Sequence, residues 1–144
     1  MKTPSTGSFA EAALTQTIIG ACYYVHGKLG FGFLESIYAA ALENVLLRRG
    51  LRVAREVLVP IHFEREIIAY QRLDMLVEDR VVVELKAGER INDSASRQLY
   101  NYLRATNLEI GLLFHFGRRV TVRRIDSKNT TKELAIPIIP RKSQ

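Results

Sequence analysis

The residues best suited to chemistry lie in two neighbouring stretches, Arg72-Leu73-Asp74-Met75-Leu76-Val77 and Val81-Val82-Val83-Glu84-Leu85-Lys86. Along an extended strand, residues two apart share a face, so Glu84 and Lys86 project together while Val83 and Leu85 point to the other side. Asp74, from the preceding stretch, adds a second carboxylate. Two carboxylates from adjacent strands can bind a hard divalent cation such as Mg²⁺, which prefers oxygen ligands and bridges protein carboxylates to phosphate. A lysine beside them can stabilise the charge that develops when water attacks a phosphodiester. Glu-x-Lys is a common pattern, and a salt-bridged edge strand would read the same way. What singles these residues out is their conjunction.

Loop length decides whether the two carboxylates can meet. Directly opposed residues of an antiparallel hairpin share a face. A three-residue loop at Glu78-Asp79-Arg80 pairs Val77 with Val81 and sets Asp74 opposite Glu84, whereas a two-residue loop separates them unless a bulge corrects the register. The longer loop, or a bulge, is therefore expected.

Two further features add polar groups. Gln98 and Tyr102 are four residues apart in a helical pattern and so lie on one face, where their polar ends can orient a ligand or a water. Read without a ligand, they are a solvated amide and an amphipathic core residue. Glu35 falls in the first turn of another helix, where the helix dipole favours a carboxylate with or without a metal.

The elements that must carry these residues are legible from periodicity. Leu14, Ile18, Ala21, Cys22, Val25 and Leu29 recur at helical intervals and predict a first helix over Phe9 to Leu29. Gly27-Lys28-Leu29-Gly30-Phe31-Gly32 then forces a stop and a turn. A second helix is expected over about Leu34 to Arg49, ending at Gly50. Beyond Gly50 the period falls to two, predicting strands at Val53 to Phe63, Ile67 to Val77 and Val81 to Leu85. A third helix over Ser94 to Ala105, capped by Asn92 or Asp93, precedes strands at Ile110 to Phe116 and Val120 to Ile125. The order ααβββαββ implies a mixed α/β domain around one sheet.

Composition narrows the class. The chain has 144 residues, 47% hydrophobic and a quarter charged, which suits one compact domain and argues against intrinsic disorder. No apolar run is long enough to span a bilayer, and the polar stretch Met1 to Ala13 lacks the pattern of a secretory signal, so a cytoplasmic location is expected. A lone Cys22 excludes an internal disulfide framework and a cysteine-based zinc site. The formal charge of +6 is regional: residues 1–114 hold 13 basic and 13 acidic side chains, residues 115–144 hold 8 and 2. A domain over residues 8–126 is expected, with an arm at 1–7 and a basic, Pro-containing tail at 127–144. Arg118, Arg119, Arg123 and Arg124 are the candidates for phosphate binding.

Taken in order, Val25-His26, Gly32-x-x-Glu35-x-x-Tyr38, Asp74, Glu84-x-Lys86, Gln98-x-x-x-Tyr102 and Gly111-Leu112-Leu113-x-x-Phe116-Gly117 resemble the GxxExxY protein family, which is assigned to the PD-(D/E)XK nuclease superfamily. The resemblance spans about residues 14 to 125 and implies a restriction-endonuclease-like core, a central mixed sheet flanked by helices. It implies that Asp74 and Glu84 bind Mg²⁺, with Mn²⁺ as a substitute and help from the Leu85 carbonyl, and that Lys86 positions or polarises the attacking water. Glu35 matches an acidic residue that completes the metal shell. Gln98 and Tyr102 match an element of RecB-like nucleases that supports the site and contacts nucleic acid. His26 matches a helix histidine that some RecB-like nucleases use as a further metal ligand; a buried or capping histidine is the alternative. Phe31 stands where proline is expected and His115 where asparagine is, and neither is a ligand. His62 and His115 receive no role.

The expectation is thus a metal-dependent nuclease-like protein acting on nucleic acid, DNA in the first instance, with a non-catalytic nucleic-acid-binding or scaffold module as the alternative. A homodimer is one way for so small a chain to hold a duplex or cut both strands.

Overall fold

The computed structural model describes residues 4–127, with side chains from residue 11 onward. The tail beyond Ser127 and the first three residues of the expected arm lie outside them. The elements are α1 (Pro4–Leu29), α2 (Glu35–Arg48), β1 (Val53–Phe63), β2 (Glu66–Val77), β3 (Val81–Ala87), α3 (Asp93–Arg104), β4 (Ile110–Phe116) and β5 (Val120–Asp126), in the expected order. α1 begins at Pro4 rather than Phe9, because Ser5 to Ser8 carry no apolar period while proline's fixed φ suits a first helical position. Asn92 is the cap of α3, its Oδ1 accepting from the Ser94 amide at 2.9 Å. Among the described residues no helix is long and apolar enough to cross a membrane.

The strands form one sheet in the order β1-β2-β3-β4-β5. All neighbours are antiparallel except β3 and β4, whose parallel pairing requires the crossover that α3 supplies. α1 and α2 cover one face: Leu14, Ile18, Ala21, Cys22 and Val25 of α1 and Tyr38, Leu42 and Leu46 of α2 pack on Met75, Val77, Val83, Leu85, Phe114 and Phe116. α3 covers the other with Leu99, Tyr102 and Leu103 against Val82, Leu113, Leu73 and Val59. Covered on both faces, β3 is buried from Val81 to Leu85 and β4 throughout, so neither shows an alternating pattern. Each fully buried Val, Leu or Phe contributes roughly 1.5–3 kcal/mol, so the two central strands are the most firmly held part of the sheet.

The outer hairpin changes sides. Val53 and Met75 belong to the α1–α2 layer, but Val57, Val59, Ile61 and Leu73 belong to the α3 layer. Residues an even number apart on one strand share a face, so both strands must break their alternation between these positions. The break falls at Glu56, whose φ of 55° lies in the left-handed region, and at Asp74, opposite it in register. The pairing Arg55↔Met75 and Val57↔Leu73 keeps the same register on either side of the break.

α3 packs closely on β4 at Gly111. A Cβ built there would lie 2.8 Å from Leu99 Cδ1 and 2.9 Å from Leu99 Cγ. Gly111→Ala is therefore expected to destabilise the fold by about 1–3 kcal/mol through overpacking, read as a lower urea midpoint, and the double variant with Leu99→Ala should lose less than the sum of the two single losses.

Candidate active site

Loop length sets the register of β2 on β3. The β2–β3 turn has three residues, with Val77 paired to Val81 and the Arg80 amide donating to the Val77 carbonyl at 3.0 Å. Glu78 and Asp79 both take positive φ, 54° and 55°. The backbone pairing runs inward through Leu76↔Val82 to Met75↔Val83, which is the register expected from the odd-length loop.

At the next pair, side chains stand in for the ladder. The Asp74 amide donates to Glu84 Oε2 at 3.0 Å, and the Leu85 amide donates to Asp74 Oδ2 at 2.9 Å. Each carboxylate thus fills a hydrogen-bonding position that a strand partner would otherwise occupy, and the two acids are held where β2 and β3 part. Glu84 is only 6% exposed. Burial, and then the neighbouring Asp74 charge, push its carboxyl up to about 8, although a backbone hydrogen bond from Asp74 and the charge of Lys86 act in the opposite direction. Tyr102 feels the same acids: burial first, then Glu84 and Asp74, push its phenol up to about 12, so it remains a donor at neutral pH.

The expected residues divide around this pair. On the α2 side, Glu35, Glu56, Asp74, Arg55 and Leu85 line a cavity of about 180 Å³. Glu35 reaches β3 directly, its Oε2 accepting from the Ala87 amide at 3.3 Å. On the α3 side, Tyr102 donates to Gln71 Oε1 at 3.1 Å, and both line a second cavity of about 320 Å³ with Gln98, Arg97 and Asn101. Lys86 is half-buried, two residues beyond Glu84 on the same face, and the parallel register puts His115 beside it.

His26 does not line the cavity of Glu35 and Asp74. Its Nε2 donates to the Gly117 carbonyl at 2.8 Å and its ring stacks on Phe116, which ties α1 to the β4–β5 turn. The four arginines are not one patch either. Arg118 and Arg119 are exposed in the β4–β5 turn. Arg123 donates to Ser96 Oγ at 2.9 Å and lies 3.7 Å from Asp93, and Arg124 lies 4.0 Å from Asp126. Alternation along β5 sends these last two to opposite faces.

Glu56 and Gln71 escaped the sequence reading. Val53-Ala54-Arg55-Glu56-Val57 looks like an alternating strand with an outward glutamate, and only the positive φ turns it toward the site. Gln71 follows Tyr70 in an exposed stretch and acquires meaning only from Tyr102 on a distant helix.

The donor set suits a hard cation. Two carboxylates side by side, one of them kept from ionising first by burial and then by the other's charge, are relieved by a divalent ion. Oxygen ligands from Asp74, Glu84 and the Leu85 carbonyl, with Glu35 nearby, are the chemistry such an ion prefers. Among the described residues no three His, Cys, Asp or Glu side chains converge closely enough to form a ready-made cage.

The raised Glu84 carboxyl gives the metal-free protein a definite pH response. The native state holds a proton that the unfolded chain has released, so Glu84 contributes stability below its ordinary value of 4.5 and loses it as pH rises through about 8. Urea midpoints measured with chelator between these limits should fall with pH in the native protein and fall less in Glu84→Gln, which keeps the shape without the charge. Matching slopes would show that the proton resides elsewhere. His26→Ala should lower the melting temperature while leaving divalent-cation affinity unchanged, because its imidazole is used as a tether.

No curated protein sequence matches the chain. Among solved structures it resembles the crystal structure of SSO0001, at 22% identity and a TM-score of 0.53, over 76% of this chain and 59% of that one. The chain thus spans 59% of the length of that protein, and at this identity the likeness is one of fold. An alkaline exonuclease (LHK-Exo) from Laribacter hongkongensis is also similar, at 13% identity and a TM-score of 0.47, over 70% of this chain and 67% of that one. Residues 12–125 match the family model of the PD-(D/E)XK nuclease superfamily, and the mixed five-stranded sheet flanked by helices agrees with it: the chain belongs to that superfamily.

Proposed function

We propose that the protein is a metal-dependent nuclease that hydrolyses phosphodiester bonds of nucleic acid, with DNA the polymer of first choice. The observation that carries this reading is the Asp74–Glu84 pair, held at the parting of two strands with Lys86 on the same face as Glu84. A non-catalytic module has no evident need to bury Glu84 against a second carboxylate, since an unpaired buried acid costs stability.

Asp74, Glu84 and the Leu85 carbonyl would hold the cation, with Glu35 completing the shell from α2. When bound, a divalent cation supplies Lewis-acid polarisation of the phosphate and lowers the pKa of water. Glu84 gives up its proton as the site is loaded, so loading strengthens with pH up to about 8. The Lys86 ammonium orients the attacking water and offsets charge on the phosphoryl oxygens. Tyr102, a phenol at working pH, fixes Gln71 and with Gln98 shapes the wall on the α3 side. Arg118 and Arg119 draw in the phosphate backbone.

The deciding experiment incubates the purified protein with single-stranded, duplex and branched DNA and RNA, with Mg²⁺ or Mn²⁺ and with chelator. Metal-dependent cleavage should fall by at least about 100-fold in Lys86→Ala and in Glu84→Ala, and less in Tyr102→Phe. Cleavage unchanged in the first two variants would point to a contaminant and defeat the assignment, and binding without cleavage would favour a non-catalytic module.

A further inference from the structure

A third cavity, of about 600 Å³, adjoins the candidate active site and has a different character. Its walls are Phe31, Phe33 and Leu34 from the loop between α1 and α2, Gly88 and Glu89 after β3, and Gly117 and Arg118 after β4. Glu35 lines both this groove and the cavity of Asp74, so the two are neighbours. The volume lies within the range of about 300–1,000 Å³ that holds small organic ligands, and a nucleotide fits it.

The aromatic residues here face outward by construction. Phe31 is 54% exposed and Phe33 44%. Gly30 and Gly32, at φ 77° and 106°, let the loop turn so that Phe31 between them points away from the core. Tyr38 locks that loop: its hydroxyl donates to the Gly30 carbonyl at 2.6 Å and accepts from the Phe33 amide at 3.3 Å, while its ring stacks on Phe116 with centroids 4.3 Å apart. The opposite wall is locked by the His26 bond to the Gly117 carbonyl. Gly88 and Gly117 form a bare floor, close enough that a Cβ on Gly117 would lie 3.2 Å from the Gly88 carbonyl oxygen. Arg118 bridges the groove, its guanidinium carbon 4.7 Å from the Phe31 ring centroid.

An exposed aromatic ring carrying a guanidinium over one face, in a groove beside the acidic pair, matches one ligand chemistry: a base can stack on a ring or exchange with the guanidinium above it, which then meets the phosphate. We propose that this groove holds an unpaired nucleobase of a single-stranded nucleic acid, stacked on Phe31, with Arg118 on its phosphate, next to the bond presented to Asp74 and Glu84. Bases stack on an aromatic face whatever their sequence, and each such contact contributes measurably to single-strand affinity. A base within a duplex is stacked on its neighbours and cannot enter, so the groove selects strands, ends or gaps over intact duplex. The proposal rests on the nuclease reading only for where the scissile bond lies.

Binding measured in chelator separates the two. Fluorescence anisotropy would follow the full chain with a labelled single strand of DNA or RNA, roughly ten nucleotides long, and with the matching blunt DNA duplex. Phe31→Ala should weaken single-strand binding by about tenfold and leave duplex binding unchanged, and Phe31→Trp should restore it. Arg118→Ala should weaken both and lower the salt slope for single strands by about 0.7. Unchanged single-strand affinity in Phe31→Ala, equal losses on strand and duplex, or no single-strand binding by the native protein would overturn the proposal. The DNA and RNA arms show which polymer is preferred. Absence of metal-dependent cleavage alongside a Phe31-dependent strand preference would sink the nuclease reading and leave the base site standing. Because Phe31 is exposed, the variants should melt with the native protein, a control that excludes misfolding.

Discussion

Where β2 and β3 separate, two carboxylates take over the work of the backbone. Asp74 accepts from the Leu85 amide and Glu84 accepts from the Asp74 amide, so neither strand leaves an orphaned donor at the fork. The same exchange holds two like charges together in a buried setting, which is why Glu84 resists ionisation. The hydrogen bonds that close the fork are the same ones that bring the two acids together. The surrounding elements make that fork rigid from both sides, with α2 bringing Glu35 to the Ala87 amide and α3 bringing Tyr102 to Gln71.

The fork in turn depends on how the sheet is covered. β3 and β4 are sealed between α1–α2 and α3, so the strand bearing Glu84 and Lys86 cannot shift register without displacing the buried run Val81 to Leu85. The outer hairpin is held differently: it changes faces at Glu56 and Asp74 to meet α3. That reversal opens the space lined by Glu35, Glu56 and Asp74. A sheet with unbroken alternation would direct Asp74 squarely into one layer or the other and leave no gap between them.

Residues of one sequence motif serve different ends. Glu35 shares a cavity with Asp74, but His26 and Tyr38 are spent on backbone bonds to Gly117, Gly30 and Phe33 and on stacking against Phe116. A histidine's spacing from a carboxylate reveals that they can approach; it does not reveal that a carbonyl in a turn 91 residues away engages its Nε2. The basic stretch shows the same limit. Arg118, Arg119, Arg123 and Arg124 are neighbours in sequence, yet a turn exposes the first two while the alternation of β5 sends the others apart, toward Ser96 and Asp126.

Much of the fold was legible without coordinates, because it depends on local rules. Helical and strand periods come from side-chain direction along one element, the cap at Asn92 from one side chain and a nearby amide, and the β2–β3 register from the length of a three-residue loop. What the tertiary structure alone decided depends on distant groups converging: the burial that raises Glu84, the positive φ that turns Glu56 into the cavity, the pairing of Tyr102 with Gln71, and the groove displaying Phe31 beside Arg118. Desolvation and hydrogen-bond competition are set by every neighbour at once. A linear sequence specifies which groups exist and which way each points along its own element, and the packed structure determines which of them share a cavity.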